Sequence, residues 1–299
     1  MKKPREVYER VMERSARELP KVKLPEPPPE YTHFLNEASV MLNTDREVAA
    51  VRKSVFEHFE KGGEFPEHGA THSEIVARIA GAIAGMEAAR LGLSPKSAHF
   101  VMKESIMGGL LHDVGRMTTT RSKAMYRKLT MSGPGAYAER KKLQADFEHE
   151  VVSAREAEDI LSAAGVSTEH AIEAVREHES VDWKPKGNQL RDIVVGAVHD
   201  ADKVIWGPPL STRRAWKFAI AFNYKPKRLM ADFRLGRKGE VLGKLAPYES
   251  GVAFRTSVAK EYGPVFIKRG IKLGKIMIKM LGEEMKGRKG KQQSLDEFG

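Results

Sequence analysis

Apolar residues recur at three- and four-residue steps along much of the chain, and this spacing restricts the possible folds more than any other feature. The clearest series run through residues 48–59, 75–86 and 151–161. The spacing matches one face of an α-helix, whereas the alternation typical of β-strands is scarce. Ser94 and Pro95 have the residue types expected at the start of a helix. The sequence therefore predicts an all-α fold.

Proline and charge divide the chain into segments. A proline-dense stretch at residues 23–31 excludes helix and central strand, and the composition becomes basic after Trp206. A helix is predicted from Pro264 to Leu281 within the basic part. The predicted divisions are an N-terminal helix with a Pro-rich linker (1–30), a main domain (31–206), a basic, mostly helical C-terminal extension (207–284) and a flexible tail (285–299).

Basic charge is concentrated in the C-terminal third. The chain has 51 Lys and Arg against 40 Asp and Glu, a net charge of +11. Residues 203–299 contain 22 of the basic residues and only 8 of the acidic ones. A region of positive charge attracts polyanions such as nucleic acid, nucleotides or an anionic membrane surface. The alternative interpretation is a surface adapted for solubility or heat.

The sequence lacks a membrane span, a signal region and cysteine, and these absences limit the classes of protein to which it can belong. No stretch approaches the roughly 20 apolar residues that span a bilayer, and the N-terminus has no apolar signal region. We therefore expect a soluble, cytoplasmic protein with no membrane partner. The chain has no cysteine, so any metal site must use histidine, carboxylate and water.

The most informative motif is the adjacent pair His112 and Asp113, which ends a hydrophobic predicted helix. A carboxylate seldom lies on an apolar helix without compensation, because its desolvation costs several kcal/mol. A metal ion compensates well: the imidazole can bind one ion while the carboxylate bridges to a second, roughly 3.5 to 4 Å away. Further candidates begin or end predicted helices, namely His72, His149, His178 and Asp202.

These residues resemble the signature of the HD superfamily of metal-dependent phosphohydrolases. That signature is a His, a His-Asp pair and a distal Asp, with two more His residues in members that bind two metals. The matching positions, in order, are His72, His112, Asp113, His149, His178 and Asp202. The resemblance covers about residues 31–206 and implies an HD-domain helical bundle with two divalent ions. It also implies that Asp113 bridges the ions and that a bridging water or hydroxide attacks phosphorus.

The residue types leave the metal and some positions open. Nitrogen and oxygen ligands suit Mn, Fe, Co, Ni, Zn or Mg. His68 lies four residues before His72 and is an alternative to it, although the apolar rhythm begins after His72. Asp200 is an alternative or supporting residue to Asp202, which better fits the family's Ala-Asp motif. Arg116 is a candidate catalytic residue that binds a phosphate oxygen, or else a cation that neutralises a helix end.

The C-terminal end resembles the box by which proteins bind the sliding clamp PCNA. Gln292, Leu295 and Phe298 have the spacing of that box, and a basic stretch precedes them. Leu295 and Phe298 would be the apolar anchors of one helical turn. Gly299 replaces the second aromatic residue that usually ends the box. A charged tail without a partner is the alternative interpretation.

Together these features predict an enzyme. The predicted function is metal-dependent cleavage of phosphoester bonds in a nucleotide or nucleic acid, and a nuclease linked to DNA replication or repair if the tail binds a clamp. The first alternative is an HD-type diiron oxygenase, because some relatives use the same six ligands to activate oxygen. The second is a non-catalytic protein that binds nucleic acid or the clamp.

Overall fold

The chain folds as a bundle of α-helices, seen in a computed structural model. The structure describes residues 4–22, 28–62, 68–116, 149–168, 170–180, 182–204, 225–238 and 240–285. Within those ranges there is no β-strand, so the all-α prediction is confirmed. Among the described helices, none combines the length and the apolar character that crossing a membrane requires.

The helices are numbered here in chain order within the described ranges. They are α1 (Pro4–Glu18), α2 (Pro29–Thr44), α3 (Arg46–Gly62), α4 (Ala70–Arg90), α5 (Pro95–Leu111), α6 (His149–Ala164), α7 (His170–Glu177), α8 (Gln189–Val204), α9 (Pro226–Arg234), α10 (Glu240–Glu249) and α11 (Ser257–Met285). A short 3-10 turn, Val114–Arg116, follows α5.

Helices α4 and α5 form the centre of the bundle, and α8 packs against both. Glycine allows the central pair to approach closely: a Cβ atom on Gly109 would lie 2.6 Å from Ala77 Cα. His72 lies in the first turn of α4, and His112 follows the last residue of α5. The contact between Gly109 and Ala77 therefore brings the start of α4 beside the end of α5, where these two histidines lie.

Gly109→Ala is expected to lower the free energy of unfolding by about 1 to 3 kcal/mol, the usual cost of overpacking a core. The added methyl group would meet backbone atoms, Ala77 Cα at 2.6 Å and Ala77 N at 2.8 Å, which cannot rotate away. Urea denaturation measures the change. Gly282→Ala is the matched control, because its nearest contact is the flexible end of Met230 at 3.2 Å. Equal midpoints for the two variants would contradict the close packing.

The N-terminal helix packs on α11, and the chain after residue 240 packs on the main bundle. Val7, Tyr8 and Val11 of α1 form an apolar cluster with α11, which includes Leu273 and Met277. The main core around α4 and α8 also contains apolar residues from the chain after residue 240, namely Leu242, Leu245, Phe254, Val258 and Ile267. Apolar cores are therefore shared across the predicted segments, while the segment boundaries themselves stay a prediction.

Helix α11 begins at Ser257, earlier than the predicted start at Pro264, because carboxylates from other helices cap it. Asp200 of α8 accepts hydrogen bonds from the backbone N–H groups of Arg255 and Thr256. Glu87 of α4 accepts from Ser257 N and Val258 N. These bonds satisfy the N–H groups that a helix start leaves without partners. Such long-range caps cannot be seen in local sequence.

The predicted clamp-binding residues Gln292, Leu295 and Phe298 lie outside the described residues, as do residues 205–224 of the basic region. Binding of a sliding clamp therefore stays a prediction from the sequence.

Candidate metal centre

Two groups of buried side chains meet where the ends of five helices converge. Within each group the possible ligand atoms all lie within 4.8 Å of one another. The first group is His72, His112 and Asp202, and the second is Asp113, His149 and His178. The structure thus brings together the six residues that the sequence singled out. They lie near the start of α4, after α5, at the start of α6, after α7 and near the end of α8.

In the first group, polar atoms face one another at short range. His72 Nε2 lies 3.1 Å from His112 Nε2 and 3.3 Å from Asp202 Oδ1. His112 Nδ1 lies 2.8 Å from Gly109 O. A carbonyl oxygen can only accept, so Nδ1 carries the proton and Nε2 presents its lone pair to the group. A histidine oriented in this way by its second nitrogen is typical of a metal ligand.

The second group repeats this arrangement. His149 Nε2 and His178 Nε2 are 3.3 Å apart. His178 Nδ1 donates to Val175 O at 2.7 Å, which directs the Nε2 lone pair toward His149. His149 Nδ1 lies 3.4 Å from a carboxylate oxygen of Glu150. In each group, therefore, the Nε2 atoms of two histidines lie close enough together to bind one divalent cation.

Asp113 lies between the two groups. Its Oδ2 atom is 3.2 Å from His112 Nε2 and 3.4 Å from His72 Nε2, while its Oδ1 atom is 3.7 Å from His149 Nε2. Oδ2 is buried and accepts no hydrogen bond from the described residues. A buried carboxylate oxygen without a donor is costly in an apolar interior. The donor set and this unsatisfied oxygen fit cations, one on each side of the carboxylate.

Neighbouring cations keep both carboxylates ionised. Burial alone would raise the pKa of Asp113, but the charges of Arg116 and His112 outweigh it and hold the pKa well below its usual value. Arg116 Nε donates to Asp113 Oδ1 at 2.5 Å. Burial likewise opposes ionisation of Asp202, and Lys203 and the nearby histidines hold its pKa well below its usual value. Both side chains thus remain in the form that binds metal.

Burial keeps the two imidazoles of the second group neutral. It lowers the pKa of His178 to about 4 and that of His149 well below its usual value. His112 differs: burial disfavours its charged form, but the charge of Asp113 outweighs burial and raises the pKa. A metal ion bound to His112 Nε2 would replace the proton that this pKa favours, so metal binding and protonation compete at this atom.

The alternative ligands lie outside both groups. The His68 ring contacts the His72 ring edge-on, with 5.4 Å between centroids. Both carboxylate oxygens of Asp200 are bonded at 2.8 Å to Arg255 N, Thr256 N and Thr256 Oγ1. This geometry favours Asp202 over Asp200 as the distal aspartate.

Sequence reasoning missed an ion-pair network beside the two groups. Lys203 Nζ donates to Glu179 Oε1 at 2.6 Å and to Asp202 Oδ2 at 3.0 Å. The charge of Lys203 outweighs burial and lowers the pKa of Glu179 to about 2. Glu179 directly follows His178 and Lys203 directly follows Asp202, so opposite charges adjacent to two candidate ligands were the available signal.

Among the comparisons with known proteins, one found a match, to a domain family. No curated protein and no solved structure matches the chain significantly. The family model of the HD domain, a domain typical of metal-dependent hydrolases, matches residues 69–207. That range is shorter at its start than the predicted resemblance over residues 31–206. It contains all six side chains of the two groups, so the segment that builds the site is the part of the chain that matches the HD domain family.

Proposed function

We propose that the protein is a metal-dependent phosphohydrolase with two divalent ions. The group of His72, His112 and Asp202 would hold one ion, and His149 and His178 the other. The observation that carries the proposal is the position of the Asp113 carboxylate, which directs one oxygen toward each group. The match to the HD domain supports the same class of reaction.

The chemistry requires ions and fixed ligands. Two divalent ions, when bound, lower the pKa of a water toward neutrality, polarise a phosphoryl oxygen and hold nucleophile and leaving group in line. Arg116 fixes Asp113 through Oδ1, and its guanidinium fork suits a non-bridging phosphate oxygen. Lys203 holds Asp202 Oδ2, which leaves Oδ1 directed toward His72. These two cations orient the carboxylates and add positive charge beside the two groups.

Metal-supplemented hydrolysis assays test the proposal. Nucleotides, cyclic dinucleotides and single- and double-stranded nucleic acids are the substrates to compare. Release of phosphate or cleaved product that depends on added Mn or Mg would support a phosphohydrolase. Oxygen consumption by the iron-loaded protein, without hydrolysis of any of these substrates, would instead favour the diiron oxygenase.

We further propose a nucleotide or nucleic acid as the substrate, on the basis of charge on α11. Lys268, Lys272 and Lys275 recur at helical spacing, and each is exposed or half-buried. None of the three pairs with a carboxylate among the described residues. Unpaired lysines along one side of a helix attract the phosphates of a polyanion.

Binding of single-stranded nucleic acid is expected to weaken as salt rises, with a log-log slope of about −0.7 per phosphate contacted. Changing Lys268, Lys272 and Lys275 to Gln should reduce that slope by about 2, since three contacts are lost. Fluorescence anisotropy across a salt series measures both slopes. Lys53→Gln with Lys96→Gln is the control, because these exposed lysines lie on other helices. A slope that the triple variant does not change would remove α11 from the binding surface.

A further inference from the structure

The turn that carries His178 is held by side chains from distant parts of the chain. His178 follows the last residue of α7, where backbone carbonyls lack partners within the helix. Arg255 Nη1 donates to Glu177 O at 2.9 Å, and Arg255 Nη2 donates to Ser180 O at 2.7 Å. His199 Nδ1 donates to the carbonyl of His178 itself at 2.5 Å. Three carbonyls around one candidate ligand are therefore fixed from outside their own helix.

Arg255 is itself held in place. Its backbone N–H donates to Asp200 Oδ1 at 2.8 Å, and Thr256 donates to the other oxygen of the same carboxylate. The guanidinium lies over the Trp183 ring, 4.9 Å from its centroid. Stacking on an aromatic ring and bonding through a planar fork both restrict an arginine to one orientation. The side chain is thus a rigid link between the start of α11 and the turn after α7.

We propose that Arg255 is a positioning residue for the second metal ion. It lies outside the segment that matches the HD domain, yet it fixes the backbone on both sides of His178. His178 Nε2 must stay beside His149 Nε2, 3.3 Å away, for the two to share an ion. The segment between α10 and α11 therefore completes the second half of the metal centre. This inference rests on the proposed two-ion site.

The first group is linked to this turn less directly, through Lys203, which donates to both Glu179 and Asp202. His72 and His112 are placed by the close packing of α4 on α5, and Asp202 belongs to α8. Arg255 makes no hydrogen bond in the structure to any of these three residues. Loss of its guanidinium should therefore weaken binding of the second ion much more than binding of the first, whereas a general loss of stability would weaken both.

Titration of the metal-free full-length protein with Mn²⁺, alone and against a competing chelator, tests the inference. Wild type should bind two equivalents. Arg255→Met should weaken one equivalent by about 10- to 100-fold, the usual effect of removing a residue that orients a ligand, and change the other much less. Arg255→Lys keeps the positive charge but lacks the planar fork of donors, so it should weaken that equivalent less than Arg255→Met does. Arg176→Met, which removes an exposed ion pair of α7 with Glu158, should change neither equivalent.

A double variant ties the effect to His178. His178→Ala should weaken the same equivalent, and adding Arg255→Met to it should cause no further loss. Equal weakening of both equivalents by Arg255→Met, or two unchanged equivalents, would overturn the role of Arg255. Uptake of a single equivalent by wild type would instead overturn the two-ion site itself.

Discussion

Asp113→Asn should reduce metal-dependent hydrolysis by about a thousandfold or more, because the change removes the charge that both ions would share. The amide has nearly the same shape as the carboxylate, so packing is retained while the buried negative charge is lost. Steady-state hydrolysis of whichever phosphoester the assays identify, at saturating Mn²⁺, measures the effect.

The control for this variant is Asp159→Asn, the same chemical change at an exposed position on α6. It should keep wild-type activity. An Asp113→Asn protein that folds normally and retains more than about a tenth of the activity would rule out a carboxylate shared by two ions.

Removal of metal is expected to lower the stability of the folded protein by about 8 kcal/mol, about 4 kcal/mol for each of two ions, compared with protein in an ion concentration roughly 1,000 times the dissociation constant. Ions that bind only the folded state stabilise it by mass action. For a chain of this size the change corresponds to a fall in Tm of roughly 10 °C. Differential scanning calorimetry with and without a chelator measures it.

The site variant provides the control for the calorimetry. Asp113→Asn should show little dependence of Tm on metal, whereas Asp159→Asn should respond as wild type does. A chelator that leaves the Tm of wild type unchanged would mean that the two groups hold no ion at the concentrations used.

The helical fold and the members of the two groups could be predicted because both depend on local sequence. Apolar spacing marks the faces of helices such as α4, and His72 and His112 stand at the ends of such series. Helices that pack on one core bring their ends together, so ligands distant in sequence meet. The order of residue types, compared with the HD signature that it resembles, therefore identified the candidate ligands.

Other features depend on tertiary geometry that sequence does not specify. Asp200 and Asp202 lie two residues apart on α8, and local pattern alone left both open. In the structure the two side chains have different partners, because Asp200 caps α11 whereas Asp202 faces His72. Arg255 is 78 residues from the Glu177 carbonyl that it binds, and no periodicity reveals such a contact.

Anomalous X-ray diffraction from crystals of the Mn²⁺-loaded protein would show whether Asp113 lies between two ions. We expect two anomalous peaks roughly 3.5 to 4 Å apart. One should lie among His72, His112 and Asp202 and the other beside His149 and His178, with an Asp113 oxygen bonded to each. A single peak, or peaks bonded to Asp200 in place of Asp202, would contradict this arrangement.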